Sequence, residues 1–355
     1  MIHLQKRAQE ARLFVWLSPL LALALTCVGG LLLFACLGKD PFAALAVFFW
    51  EPLKNLRAIS ELGLKMAPLL MTGVGLALCF RANVFNIGAE GQLLAGAMAA
   101  GAFALKADGA GLGGALWIGG ALLAGVLGGV LWAGITAFLR DVCNANEILV
   151  SLMLVYVAQL LLSWLVSAPL RDPAGYNFPQ SKNLSDAMLL PVFGHTRLHI
   201  GILLALLAAA LCWVLLQKSR AGFRLQVGGL APRAASYAGF SPRASLWLVL
   251  SISGGLAGLA GACEVLGPVG QLHAAISPGY GFAAIIVAWV GRLHPLGALF
   301  SAFVLSLFYL GGELAQSRLG LPNAITGVFQ GLLLFFLLAC DVLIRYRLVW
   351  RGARA

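Results

Sequence analysis

The chain has 355 residues, of which 61% are hydrophobic and only 10% charged, with a formal net charge of +11. A soluble globular domain carries about 25% charged residues, so the composition defines an integral membrane protein instead. Its basic residues sit in short connections between apolar runs, without a basic face or aromatic interleaving, which excludes a nucleic-acid partner.

A membrane-crossing helix needs about 20 apolar residues. Ten candidate spans follow in chain order: Leu13–Leu37, Leu62–Phe80, Ile87–Leu105, Leu112–Leu139, Ile148–Ala168, Ile200–Leu216, Ser245–Leu266, Phe282–Gly291, Leu296–Gly311 and Pro322–Ile344. The first is too long for a signal-peptide core and has no convincing cleavage site, so it reads as a retained helix. Between the first two, Ala43–Trp50 is aromatic-rich and too short to cross, and reads as an interfacial or re-entrant helix. The eighth span has the length of a half-helix. Pro169–Leu198 is the longest polar loop, and its prolines fit either a docking surface for an external protein or a solvated connector.

Orientation follows from Lys and Arg. Under this count Lys6, Arg7 and Arg12, the loop with Lys218, Arg220, Arg224, Arg233 and Arg243, and the final segment with Arg345, Arg347, Arg351 and Arg354 share one side. Arg81, Arg140 and Arg292 join them. That side is expected to be cytoplasmic, with both termini on it and the 169–198 loop outside.

The stretch Asn83-Val-Phe-Asn-Ile-Gly-Ala-Glu-Gly-Gln92 interrupts the apolar pattern most strongly. An ionisable group at such a position faces a bundle interior or a water-filled path. On a continuous helix Asn83, Asn86 and Glu90 would share a narrow arc, with Gln92 pointing away. Gly88 and Gly91 weaken the helix there. A polar clamp between helices is the alternative to a pathway. Asn144, Glu147 and Ser151 also share one face, and Asn144-x-x-Glu147 fits an N-cap with an N3 carboxylate, leaving a pathway role for Glu147 as the other reading. Gly125/Gly129 and Gly254/Gly258 have the spacing of close-packing helix faces. A faint echo links Gly88–Gln92 with Gly279–Phe282, each ahead of a helix, as in transporters with discontinuous helices.

The Gln217–Ala244 loop holds a short helix bracketed by Pro232 and Gly239, the start–stop pair of a capped helix. Seven scattered cysteines show no metal spacing, and the five histidines show no zincin spacing; a metal is not expected. There is no nucleophile motif and no phosphate-cradling loop, so no enzymatic activity and no cofactor is expected on this chain.

Phe85–Gln92 resembles the signature of permease subunits of bacterial ABC importers, in the branch serving nucleosides and simple sugars and related to ribose and branched-chain amino-acid permeases. Asn146–Leu154 is similar to the start of a family helix, Gly228–Phe240 to the cytoplasmic coupling segment, and Ser277–Phe282 with the run to Leu299 to a late half-helix and hinge. One departure is Val155, where many relatives carry an asparagine, which bears on specificity. The resemblance implies an all-α polytopic bundle of about ten helices, of the type II importer kind, forming one permease domain over 1–355 in the bacterial cytoplasmic membrane. It implies a second permease subunit, alike or different, a separate ATPase holding ATP and Mg²⁺, and an extracytoplasmic binding protein. Asn83, Phe85, Asn86, Glu90, Gln92 and Glu147 become candidates for the translocation pathway. Arg233, Ala234, Ala235, Tyr237, Ala238 and Gly239 become candidates for ATPase coupling. The alternative is an ion-coupled secondary transporter with Glu90 as its proton or sodium site.

Overall fold

The structure is a computed structural model that describes residues 2–6, 12–322 and 324–350. Arg7, Arg351 and Arg354, counted above toward topology, lie outside the described residues. The helices are α1 (Arg12–Cys36), α2 (Pro41–Phe49), α3 (Leu56–Arg81), α4 (Ala89–Gly109), α5 (Ala115–Cys143), α6 (Glu147–Ser167) and α7 (Gly201–Lys218). There follow α8 (Arg220–Leu230), α9 (Pro232–Tyr237), α10 (Pro242–Glu264), α11 (Tyr280–Val290), α12 (Pro295–Leu319) and α13 (Ala324–Arg345). Eight of these helices are long and apolar enough to cross a membrane. Each of the ten expected spans has a helix, and the eighth is indeed short: α11 has 11 residues, about 16 Å at 1.5 Å per residue.

The chain divides into two compact units. In the first, residues 1–59 and 307–355, α1 packs on α13 and the Ser18 hydroxyl donates to Asp341 (2.7 Å). Asp40 caps α2 by accepting from the amides of Phe42 and Ala43, and Pro41 starts the helix where no N–H is needed. The short aromatic run expected to be an interfacial or re-entrant helix forms α2, whose buried Phe48 stacks on Phe329 (ring centroids 4.3 Å) and meets Phe34 and Phe308. Two short strands depart from an all-helical chain. β1 (Ile2–Lys6) pairs antiparallel with β2 (Tyr346–Trp350), which brings residues 2–6 and 346–350 together.

In the second unit, residues 60–306, α4, α5 and α10 form the core. The two glycine pairs found in the sequence face each other. A Cβ on Gly129 would fall on the Gly254 carbonyl, and one on Gly258 would fall on the Gly125 carbonyl. Gly96 of α4 lies against Gly258 as well. Without side chains between them the backbones approach closely, which is how helices gain packing energy when lipid supplies no hydrophobic drive.

The 169–198 loop is partly built into this unit. The amides of Ser181, Leu184 and Leu190 donate to the carbonyls of Leu272, Gly270 and Leu266, at 2.8, 2.8 and 2.7 Å. Its tip stays open, with Tyr176 94% and Phe178 64% exposed. Buried His199 closes the loop, its Nδ1 accepting from the Gly201 amide (3.0 Å).

Candidate functional site

The polar stretch after α3 is not a continuous helix. Asn83 adopts a left-handed conformation (φ 58°), and residues 84–88 are non-helical before α4 begins at Ala89. The expected arc of Asn83, Asn86 and Glu90 therefore does not form. Non-helical backbone inside a membrane protein must find partners within the protein. Asn86 supplies them. Its Oδ1 accepts from the Gly88 amide (3.1 Å) and from Gln92 Nε2 (3.0 Å), while its Nδ2 donates to Gln92 Oε1 (2.9 Å) and Ser253 Oγ (3.1 Å). All four hydrogen-bonding positions of this amide are used. Gln92, expected to point away, is its partner. Ser151 of α6 adds a bond from the Ile87 amide (3.2 Å). Asn86 and Gln92 are both buried, and Ser253 lies near the middle of α10, so the non-helical segment reaches deep into the unit.

Glu90 is the second residue of α4, and Gly281 is the second residue of α11. The Gly281 amide donates to Glu90 Oε2 at 2.6 Å, and the Ser277 hydroxyl bonds the same carboxylate. One buried carboxylate thus serves the positive ends of two helices that start inside the bundle. A Cβ on Gly281 would collide with the backbone of Glu90, so the contact requires glycine there. The faint echo between the two glycine-rich stretches is a physical contact. Gly279 (φ 89°) makes the turn into α11, a conformation that favours glycine. Val155, the expected departure from the family pattern, is buried against Gly91, next to Glu90.

Asn83 and Glu147 belong to a different place. Both line a cavity of about 480 Å³ together with Arg140, Arg224 and Arg243, on the face that carries α8 and α9. Glu147 pairs with Arg140 at 2.9 Å. Asn144 is not the cap expected for α6: it ends α5 in a left-handed conformation (φ 52°), and Asn146 caps α6 by accepting from Ile148 and Leu149. Two asparagines separated by one residue divide the two tasks. Phe85 packs on Phe80 (5.8 Å), which stacks on Trp289 (5.7 Å), and stays clear of that cavity's lining.

The 217–244 loop folds into α8 and α9. Ser219 caps α8, accepting from Gly222 (2.9 Å), and Gln226 Nε2 donates back to the Leu216 carbonyl (2.7 Å). α9 opens on Pro232 and ends before Gly239 (φ 76°), as the proline–glycine bracket predicts. Arg233, Ala234, Tyr237, Ala238 and Gly239 are exposed, with Tyr237 at 95%. Ala235, expected on the same docking face, instead turns inward and is 3% exposed, because one side of a six-residue helix must seat on its own chain.

Sequence reading missed Ser253, and it named Ser151, Ser277 and Gly281 without the bonds they make to the 83–92 stretch. Serines within apolar helices are the signal that was present, since a hydroxyl in such surroundings seeks a partner. Among the described residues no group of His, Cys, Asp and Glu is arranged to hold a metal ion.

A membrane bundle whose core joins two interrupted helices is a polytopic transport protein. The chain belongs to the family of branched-chain amino acid transport system permease components, whose family model matches residues 58–338. It is 35% identical to a glucose ABC transporter permease protein of Haloferax volcanii, across 96% of this chain and 92% of the relative. A guanosine ABC transporter permease protein of Bacillus subtilis is 30% identical (92% and 93% covered), and a nucleoside ABC transporter permease protein of Lactococcus lactis is 26% identical (90% of each). The chain is the permease component of an ABC transport system and performs transport rather than catalysis.

Proposed function

We propose that this permease imports a nucleoside or a hexose delivered by an extracytoplasmic binding protein. Two permease subunits, alike or different, form the path, and two ATPase subunits holding ATP and Mg²⁺ drive it. The termini and the 217–244 loop face the cytoplasm, in keeping with the clustering of Lys and Arg there. The observation that carries the reading is α9: a capped helix, bracketed by Pro232 and Gly239, whose exposed Arg233, Ala234, Tyr237 and Ala238 suit seating in a partner.

The cargo class draws on relatives named for glucose, guanosine and nucleosides. Such solutes carry many hydroxyls and no charge, so a weakly polar gated path serves them without a dedicated counter-ion. Asn86 and Gln92 satisfy each other in this conformation and act as a lock on the non-helical 84–88 segment. Asn83 and Glu147 mark the cytoplasmic mouth. The ion-coupled alternative gives way to the family assignment.

Uptake of labelled guanosine, uridine and glucose by cells with and without the chain tests the cargo. Saturable, ATP-dependent uptake of one class, competed by unlabelled members of that class, is the expected result. Uptake unchanged by loss of the chain for all three would overturn the nucleoside-or-hexose reading.

A further inference from the structure

We infer that Asp141 is a positioning residue that transmits movement of the docking loop to the pathway helices. The inference rests on the proposed ATPase-driven function. Asp141 lies at the end of α5, two residues before its terminus. Its Oδ1 pairs with Arg243 Nε at 2.5 Å, and its Oδ2 accepts from Trp247 Nε1 at 3.0 Å. Both partners sit in the first turns of α10, just beyond α9 and the turn at Phe240 and Ser241. One carboxylate is therefore held by two donors from the helix that the docking loop feeds into.

The preceding residue, Arg140, extends the chain of contacts. Arg140 pairs with Glu147, the first residue of α6. One turn further along α6, Ser151 receives the Ile87 amide, in the segment that Asn86 and Gln92 lock and that leads into Glu90. Polar contacts, with the backbones of α5 and α6 between them, thus connect the start of α10 to the stretch that leads into α4. The cavity of about 480 Å³ lies beside this series, lined by Arg140, Asp141, Glu147, Pro232, Ala235 and Arg243, and leaves room for the loop to move against α5 and α6. Arg243 is 67% exposed at its side chain, and exposed ion pairs contribute little to stability. What the pair supplies is direction: a push on α9 reaches α5 through a fixed, two-pronged contact rather than being lost in the cavity. A series of contacts becomes a coupling route only when both ends respond to it, and that is measurable.

The test uses the whole transporter, permease with its partner subunits and binding protein, reconstituted in liposomes. Labelled guanosine and labelled glucose are the probes, and solute moved per ATP hydrolysed is the readout. Asp141→Asn and Arg243→Gln are expected to leave subunit assembly and ATP hydrolysis in place while lowering that ratio by about fivefold or more. The exchange Asp141→Arg with Arg243→Asp is expected to recover part of it. Trp247→Phe, which keeps the ring and removes the donor, is expected to lower the ratio less, and it decides the matter if the charge variants fail to assemble. Wild-type ratios in the assembled single variants would overturn the inference. So would parallel loss of hydrolysis and uptake, or failure of the exchange to recover anything. Absence of ATP-dependent uptake of either probe by the wild-type assembly would instead remove the proposed function itself.

Discussion

The carboxylate of Glu90 accepts the amide of Gly281 across 2.6 Å, joining the second residue of α4 to the second residue of α11. Two helices that begin inside the bundle share one anion. Each helix start presents unsatisfied amides and a partial positive charge. Facing each other without the carboxylate, they would repel and leave donors unpaired. Hydrogen bonds to a charged group contribute about 1.5–3 kcal/mol each. Glu90→Gln is therefore expected to lower uptake roughly tenfold or more, since the amide keeps the shape but loses the charge. Glu147→Gln, which loses a half-exposed partner in Arg140, is expected to be milder. Transport assays at matched membrane levels check the order, and equal or reversed losses would refute it.

The glycine seam gives a stability prediction. Gly258 faces Gly125, Gly129 and Gly96 with no room for a side chain. Gly258→Leu is expected to prevent recovery of a monodisperse protein in detergent, because overpacking backbone against backbone costs about 1–3 kcal/mol or more. Gly119, also within α5, has open space around it. Gly119→Ala is expected to raise the melting temperature slightly, since alanine loses less backbone freedom than glycine by about 0.5–1 kcal/mol. Fluorescence-detected size exclusion and thermal melts separate the two.

Docking and folding effects divide on α9. Tyr237 and Ala238 are exposed, whereas Ala235 is seated inside. Ala238→Asp and Tyr237→Ala are expected to reduce recovery of the ATPase with tagged permease while leaving permease yield unchanged. Ala235→Asp is expected to lower yield itself, because an unpaired buried charge costs several kcal/mol. Normal ATPase recovery with both exposed variants would remove α9 from the contact.

His199 makes the 169–198 loop that it closes acid-sensitive. Burial holds its imidazole at about 4, below the ordinary 6.5. Above pH 6.5 the ring is neutral whether the loop is folded or not. As pH falls from 6.5 toward 4, the unfolded state takes up a proton that the folded state does not, and stability declines by up to about 3 kcal/mol. Protonation would also turn Nδ1 from acceptor into donor against the Gly201 amide. The melting temperature is expected to fall over this window, and more steeply for the wild type than for His199→Gln. Identical slopes would exclude His199 as the titrating group.

Helix positions, the half-length of α11, the capped start and stop of α9 and the two glycine pairs were legible in the sequence. Each rests on local chemistry: apolar length, proline and glycine conformations, and small-residue spacing. The membrane class followed from composition alone. The tertiary structure decided what the polar residues do. Spacing on a continuous helix grouped Asn83 with Asn86 and Glu90, but the backbone there is non-helical, and Asn86 and Gln92 satisfy it from the side. Asn83 consequently sits with Glu147 at a cavity, Asn86 closes on Gln92 and Ser253, and Glu90 reaches α11. Gly281 and Ser277 lie nearly 200 positions from Glu90 in the chain (|i−j| is 191 for Gly281), so no local pattern announces that bond. A buried polar group goes to whichever partner the packing brings within reach, and packing is a property of the whole chain.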